Sequence, residues 1–342
     1  MPATDTPLSP ATSSGWPEAA RTARLHVVSG KGGTGKSTVA ASLALALAAG
    51  GRKVLLVEVE GRQGIAQMFD TPPLPHEEKR IAVASDGGEV RALAIDVETA
   101  LLEYLDMFYN LGFAGRAMRK VGAIEFATTL APGLRDVLLT GKIKERAVHT
   151  EKDGHRTYDA VVVDAPPTGR IVNFLDVTRA MADLAKGGPI RSQSEGVIAL
   201  LHSEQTVVHL VTLLEELPVQ ETLDAMDELR AADLRTGAII VNRARAHVLT
   251  AKALAAAAKG TVNAKQLRTG LAEAGLELND DDVAGLVTET VQHAARVNTE
   301  QTSRARLAKA GAEMVELPAL ADGVDLGALY DLAESLAEQG VR

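Results

Sequence analysis

The stretch Gly30-Lys31-Gly32-Gly33-Thr34-Gly35-Lys36-Ser37-Thr38 constrains this chain more than any other. It follows the apolar run Leu25 to Ser29 and opens a helical stretch from Thr38 to Ala49, so the backbone must turn tightly between a strand and a helix. Gly30, Gly32, Gly33 and Gly35 let backbone N–H groups face inward around a phosphate. Lys36 brings a point charge to the outer phosphate oxygens, and Ser37 offers a hydroxyl to a divalent cation. Between an apolar strand and a helix, this pattern specifies a phosphate loop.

The remainder of the chain supplies a sheet to carry that loop. Short apolar runs recur at Val54 to Val59, Val90 to Ile95, Ala160 to Val163, Val207 to Val211, Ala238 to Val241 and Met314 to Leu317, separated by helical stretches. The alternation predicts an α/β fold with a doubly wound, mostly parallel sheet. About 60 residues between the third and fourth runs are far too many for an ordinary loop. We read residues 98–155 as an inserted helical subdomain and residues 246–311 as a further helical region, with Asn279 to Asp282 as its turn and cap. Residues 1–22, rich in Pro, Ser, Thr and Ala, read as a mobile tail, with the domain that carries the phosphate loop running from 23 to 342.

Four further positions are candidates for a nucleotide switch. Asp164 ends the buried run Ala160 to Val163 and places a carboxylate beside the cation, ahead of the stiff Pro166-Pro167-Thr168-Gly169 segment. Glu60 closes the second run, where a carboxylate can orient or deprotonate an attacking water; Glu58 and Arg62 are its rivals or helpers. Lys31 either extends across the mouth of the site toward phosphates held by a facing subunit or is a solvated loop lysine. Asn242 carries an amide able to read an adenine edge, or is a plain turn residue. The run Asn242-Arg243-Ala244-Arg245 lacks the lysine and aspartate of a guanine reader, so adenine is the expected base.

Composition excludes several classes. The chain has no cysteine, which removes disulfides, thiolate zinc sites, iron–sulfur clusters and nucleophilic thiols together. A net charge of −9 over 342 residues and only 3% aromatics argue against a nucleic-acid partner. No apolar stretch reaches the length of a membrane span, and Met1 to Pro17 lacks the basic start and apolar middle of a signal peptide, so the expected location is cytoplasmic. The scattered histidines and the Asp280-Asp281-Asp282 run carry no metal-ligand spacing.

The lysine-bearing loop, the Asp164 strand, Asn242 and the late Glu316-Leu317-Pro318 resemble the arsenite-pump ATPases and the ATPases that target tail-anchored membrane proteins. The resemblance covers nearly all of Leu25 to Gln339, and Ala92 to Asp96, Pro132-Gly133-Leu134 and Leu217 to Thr222 are similar to segments of that family. More narrowly, the chain resembles one member of an actinobacterial pair of such ATPases that assemble together. The resemblance implies ATP and Mg²⁺ as cofactors, Lys36, Ser37 and Thr38 on phosphate and metal, Asp164 on the metal switch, Asn242 on adenine, and Lys31 across a dimer interface. The dimer mate is either a paralogous ATPase chain or a second copy. Glu60 falls where the family has its water-activating aspartate, but the usual Asp-Pro-Ala-His reads Glu60-Gly61-Arg62-Gln63 here, which predicts slow or partner-dependent hydrolysis. Arg170 stands where the family has a switch histidine.

Without thiolates, neither arsenite capture nor the zinc clasp of the targeting factors can form. The cluster Leu105, Met107, Phe108, Tyr109, Leu111, Phe113 and Met118 reads either as core or as a surface for a hydrophobic or membrane-protein client. Two other readings share the loop: a nucleotide-stabilised structural or regulatory subunit with little hydrolysis, and a partitioning-type positioning ATPase. The acidic balance and the long insertion weigh against the latter.

Overall fold

The computed structural model describes residues 15–100, 103, 134–184, 189–245, 248–321 and 323–342. Eight strands form one sheet: β1 Leu25–Gly30, β2 Lys53–Glu58, β3 Lys79–Val83, β4 Glu89–Ala94, β5 Ala160–Asp164, β6 Thr206–Thr212, β7 Thr236–Ala244 and β8 Met314–Pro318. Their order is β3-β4-β2-β5-β1-β6-β7-β8. Every pairing is parallel except β3 with β4. The α/β, mostly parallel sheet expected from the apolar runs is therefore present, with β1 and its loop at the centre.

The helices among the described residues are α1 Glu18–Thr22, α2 Lys36–Ala48, α3 Gly64–Met68, α4 Leu134–Val148, α5 Thr168–Leu184, α6 Pro189–Leu201, α7 Glu216–Ala231, α8 Ala251–Ala258, α9 Ala264–Glu273, α10 Asp280–Lys309 and α11 Leu326–Glu338. They cover both faces of the sheet. Because successive strand residues point to opposite sides, Val27, Leu55 and Val57 join one apolar cluster with α4, α6 and α7, while Val28, Val54 and Leu56 join a second with α2, α3 and α11. Both faces of each central strand are thus buried, which is why these strands read as unbroken apolar runs. α2 is buried on nearly every side. Its run of alanines allows close approach to the sheet and to α11, which packs against it on the same face of the sheet.

β3 has no counterpart among the predicted runs. Lys79 and Arg80 are exposed, and the strand pairs only with β4, in the antiparallel sense and with a register shift between Arg80 and Ala82. A charged edge strand buries too little apolar surface to show a period, and its charges discourage pairing with another chain.

The expected tail to residue 22 is corrected at its end. Trp16 is 3% exposed and Ala20 1%, α1 is formed, and the Trp16 N–H donates to the Gln339 carbonyl at 3.2 Å. One aromatic among Pro, Ser and Ala has no period to reveal it, yet it closes the end of the sheet opposite the phosphate loop by stacking on His209, ring centroids 4.8 Å apart.

Of the expected insertion, the described residues are 98–100, 103 and those from 134 on, which form α4 and the bridged turn Thr150 to Arg156. The Leu105 to Met118 cluster lies outside the described residues. The later helical region is formed by α8, α9 and the 30-residue α10. As expected, Asn279 caps α10 by accepting from Asp282 N at 2.9 Å, and Asp280, Asp281 and Asp282 occupy its first turn, where carboxylates meet the positive end of the helix.

Candidate functional site

The phosphate loop leaves β1 at Gly30 and enters α2 at Lys36. A Cβ on Gly30 would lie 2.3 Å from the Val211 carbonyl oxygen of β6, so only glycine lets the loop start this close to its neighbour. Gly35 adopts φ +89° directly before the helix, and a Cβ there would meet Asn242 Nδ2 at 2.3 Å. Between them run Gly32, Gly33 and Thr34; the Thr34 hydroxyl closes the turn by donating to the Lys31 carbonyl at 2.9 Å.

Lys36 is 8% exposed. Burial lowers its pKa, while the carboxylates of Asp164 and then Glu60 oppose that shift and Arg62 adds to it. The charges of Glu60 and Arg62 are thus felt at the Lys36 ammonium although both come from the β2 loop. The Ser37 hydroxyl donates to Asp164 Oδ2 at 2.6 Å, joining residues far apart in sequence. Asp164 is pushed up to about 6, chiefly by burial and also by the charges of Glu58 and Glu60, against the Ser37 hydrogen bond and Lys36. A buried carboxylate with raised proton affinity beside a hydroxyl is a pair of hard oxygen donors with room for more positive charge. The donor chemistry fits Mg²⁺.

Lys36, Ser37, Asp164 and Glu60 therefore converge at the carboxyl ends of β1, β2 and β5, where open α/β sheets bind ligands. Thr38 is the next residue of α2 after Ser37, and its hydroxyl faces Met68 Sδ of α3 at 3.6 Å. Glu60 Oε2 lies 3.4 Å from Arg62 Nη2.

Two of the expected residues have partners within the chain. Within this chain, Lys31 Nζ is paired with Glu221 of α7, so any reach across a subunit boundary requires that pair to separate. Asn242 is 6% exposed; its Nδ2 donates to the Thr34 carbonyl at 2.8 Å and its Oδ1 accepts from Arg243 N at 2.9 Å. The side chain assigned to adenine braces the back of the phosphate loop. It reaches the loop because β7 breaks register with β8 beyond Val241 and Arg243 takes φ +55°.

Two further residues shape the site: Ser29, which carries no sequence signal, and Glu58, which the sequence offered only as a rival or helper of Glu60. Ser29, fully buried at the end of β1, donates to the Pro166 carbonyl at 2.6 Å and ties the segment after Asp164 to the loop strand. Glu58, at the end of β2, accepts backbone N–H groups from Gln63 and Ile65. Beyond the site, Arg170 on α5 faces Asp136 of α4 at 3.8 Å, linking the segment after Asp164 to the inserted helices. Burial raises the Asp136 pKa, and Arg170 then Arg135 oppose that rise.

A glycine-built loop at the centre of a parallel sheet, feeding a buried lysine and a serine–aspartate pair, defines the class of phosphate-loop nucleoside triphosphatases. A family model described as anion-transporting ATPase matches residues 23–187. The chain is 64% identical over 331 residues to ATPase BagA of Mycobacterium tuberculosis (strain ATCC 25618 / H37Rv), covering 97% of each. It is 25% identical over 233 residues to the arsenical pump-driving ATPase of Escherichia coli, covering 62% of this chain and 38% of that one. To ATPase GET3 of Kluyveromyces lactis it is 24% identical over 256 residues, 65% of this chain and 72% of that one. The chain belongs to the arsenite-pump and tail-anchor-targeting ATPase family. As a member of it, the protein is an ATPase.

Proposed function

We propose that this chain is a Mg²⁺-dependent ATPase working as a dimeric conformational switch, with a paralogous chain as its preferred mate. The observation that carries this reading is the convergence of Lys36, the Ser37–Asp164 pair and Glu60 on one loop mouth. Lys36 binds the outer phosphates, and the loop amides from Gly30 to Gly35 bind the inner ones. Ser37 and Asp164 hold the metal, which supplies charge neutralisation on the phosphate oxygens when bound. Glu60 orients the attacking water and accepts its proton. Thr38 supports the phosphate end of α2, and Asn242 contributes to the adenine side with the amide hydrogen that Thr34 leaves over.

Lys31 is the residue that makes dimer formation and nucleotide state interdependent. Its release from Glu221 frees an ammonium for phosphates across the interface. The pairings Lys31–Glu221 and Glu60–Arg62 support slow turnover by the isolated chain, because two groups the reaction needs are engaged elsewhere. Among the described residues, no helix is long and apolar enough to cross a membrane. A cytoplasmic location and a hydrophobic or membrane-protein client at the 98–155 insertion complete the reading.

Light scattering tests the assembly. The chain with its paralogous mate, given Mg²⁺ and a non-hydrolysable ATP analogue, is expected at the mass of a dimer, and Lys31→Ala is expected to weaken that dimer. A mass that stays monomeric under every nucleotide condition, with the mate present, would overturn the switch. In the assembled complex, Glu60→Gln is expected to lower turnover by roughly 10²-fold with ATP affinity retained. Unchanged turnover would move the water-orienting role to another group.

A further inference from the structure

Glu58 is 2% exposed, a carboxylate buried at the last position of β2. Its two oxygens are both used. Oε1 accepts the Gln63 N–H at 2.5 Å and Oε2 accepts the Ile65 N–H at 3.4 Å, so the side chain that ends β2 holds the N-cap and first turn of α3 and closes the loop between them. A buried carboxylate is costly unless hydrogen-bonded, and here its bonds come entirely from the backbone of the loop it spans.

That loop needs holding. Gly61 sits at φ +65° and Gln63 at φ +56°, two left-handed positions within three residues, the second without the freedom of glycine. The second strut is Gln63 Oε1, which accepts the Leu74 N–H at 2.7 Å. Glu60 lies inside this clamped turn, and Glu58 stands in register with Asp164 on the neighbouring strand. The clamp therefore fixes one carboxylate of the site from the strand that flanks the other.

We propose that Glu58 is a positioning residue of the hydrolytic reaction: it locks the Val59 to Gln63 loop in its left-handed turn and so aims the Glu60 carboxylate at the attacking water. The proposal rests on the reading of Glu60 given above. Glu58 touches neither phosphate nor water in this role; its charge is felt at Asp164, but its effect on Glu60 runs through the loop backbone.

Glu58→Gln keeps the size of the side chain but replaces one acceptor by an amide that opposes an N–H group. In the assembled complex it is expected to lower kcat about tenfold with the KM for ATP within about twofold. Amide hydrogen exchange in nucleotide-free protein is expected to rise across residues 59–65 and to stay as in wild type across the phosphate loop. The double variant with Glu60→Gln is expected to turn over no more slowly than Glu60→Gln alone.

Exchange in 59–65 that does not change would overturn the clamp whatever happens to turnover. Multiplying losses in the double variant would also overturn it, since Glu58 would then act independently of Glu60. If Glu60→Gln alone turns over like wild type, the reading of Glu60 fails and the catalytic part of this proposal fails with it. The exchange result identifies which of the two has failed.

Discussion

Lys36→Ala loses ATP affinity by roughly 10²- to 10³-fold, within the range of about 2–5 kcal/mol for removing one partner of a buried, hydrogen-bonded charge pair from a binding site. Lys36 is held in a largely buried position that depresses its pKa, and Asp164 and Glu60 keep its charge in place. No bulk solvent can substitute for that ammonium once it is removed. The fold should tolerate the change, because the Lys36 side chain belongs to neither apolar cluster and Glu60 keeps 21% of its side chain open to water. Calorimetric titration with ATP, set beside a thermal unfolding curve, checks both halves. Wild-type affinity in the variant would place the phosphates somewhere other than this loop.

Trp16→Ala is expected to cost about 3–5 kcal/mol, the usual range for a buried tryptophan cut to alanine. It uncovers a pair whose protonation is already decided. His209 Nδ1 accepts the Ala238 N–H at 3.0 Å, so the His209 proton sits on Nε2 and is donated to His26 Nδ1 at 3.1 Å. Neither ring can gain a second proton without losing one of these bonds. Burial holds His26 down at about 4 and His209 well below its ordinary value, the latter also through its neighbour His26.

The sign of the pH effect follows. Folded-state values below the unfolded value of 6.5 mean that the unfolded chain binds protons the folded chain refuses. Stability from the pair is complete above pH 6.5 and is lost progressively as pH falls toward about 4. Trp16 is the only tryptophan in the chain, so its fluorescence reports directly on the pair. Denaturation midpoints that stay level from pH 7 to 5, or a Trp16→Ala variant as stable as wild type, would refute this account.

The parts of the protein legible in sequence are those a short window can encode. A strand, a glycine turn and a lysine–serine pair at a helix start are contiguous from Leu25 to Ala49, and seven of the eight strands are buried enough to show as apolar runs. β3 stayed invisible because an exposed edge has no such run. Trp16 stayed invisible because its burial depends on a histidine pair built from β1 and β6. The site divides in the same way. Lys36, Ser37 and Asp164 could be named from their motifs, whereas the clamp by Glu58 could not, since its value lies in two backbone amides that turn toward it only after the loop has taken left-handed angles.

By itself, then, the sequence determined the phosphate loop, the parallel sheet behind it and the absence of any thiolate chemistry, because each is a matter of composition or of local period. Only the tertiary structure decided what those residues touch. Ser37 meets Asp164, Asn242 meets Thr34, Lys31 meets Glu221 and His26 meets His209 across sequence separations of 127 to 208 residues. The strand order β5-β1-β6-β7 brings those distant positions to one sheet end or the other. Crossover connections set that order when both faces of the sheet are packed, and no local pattern of residues encodes it.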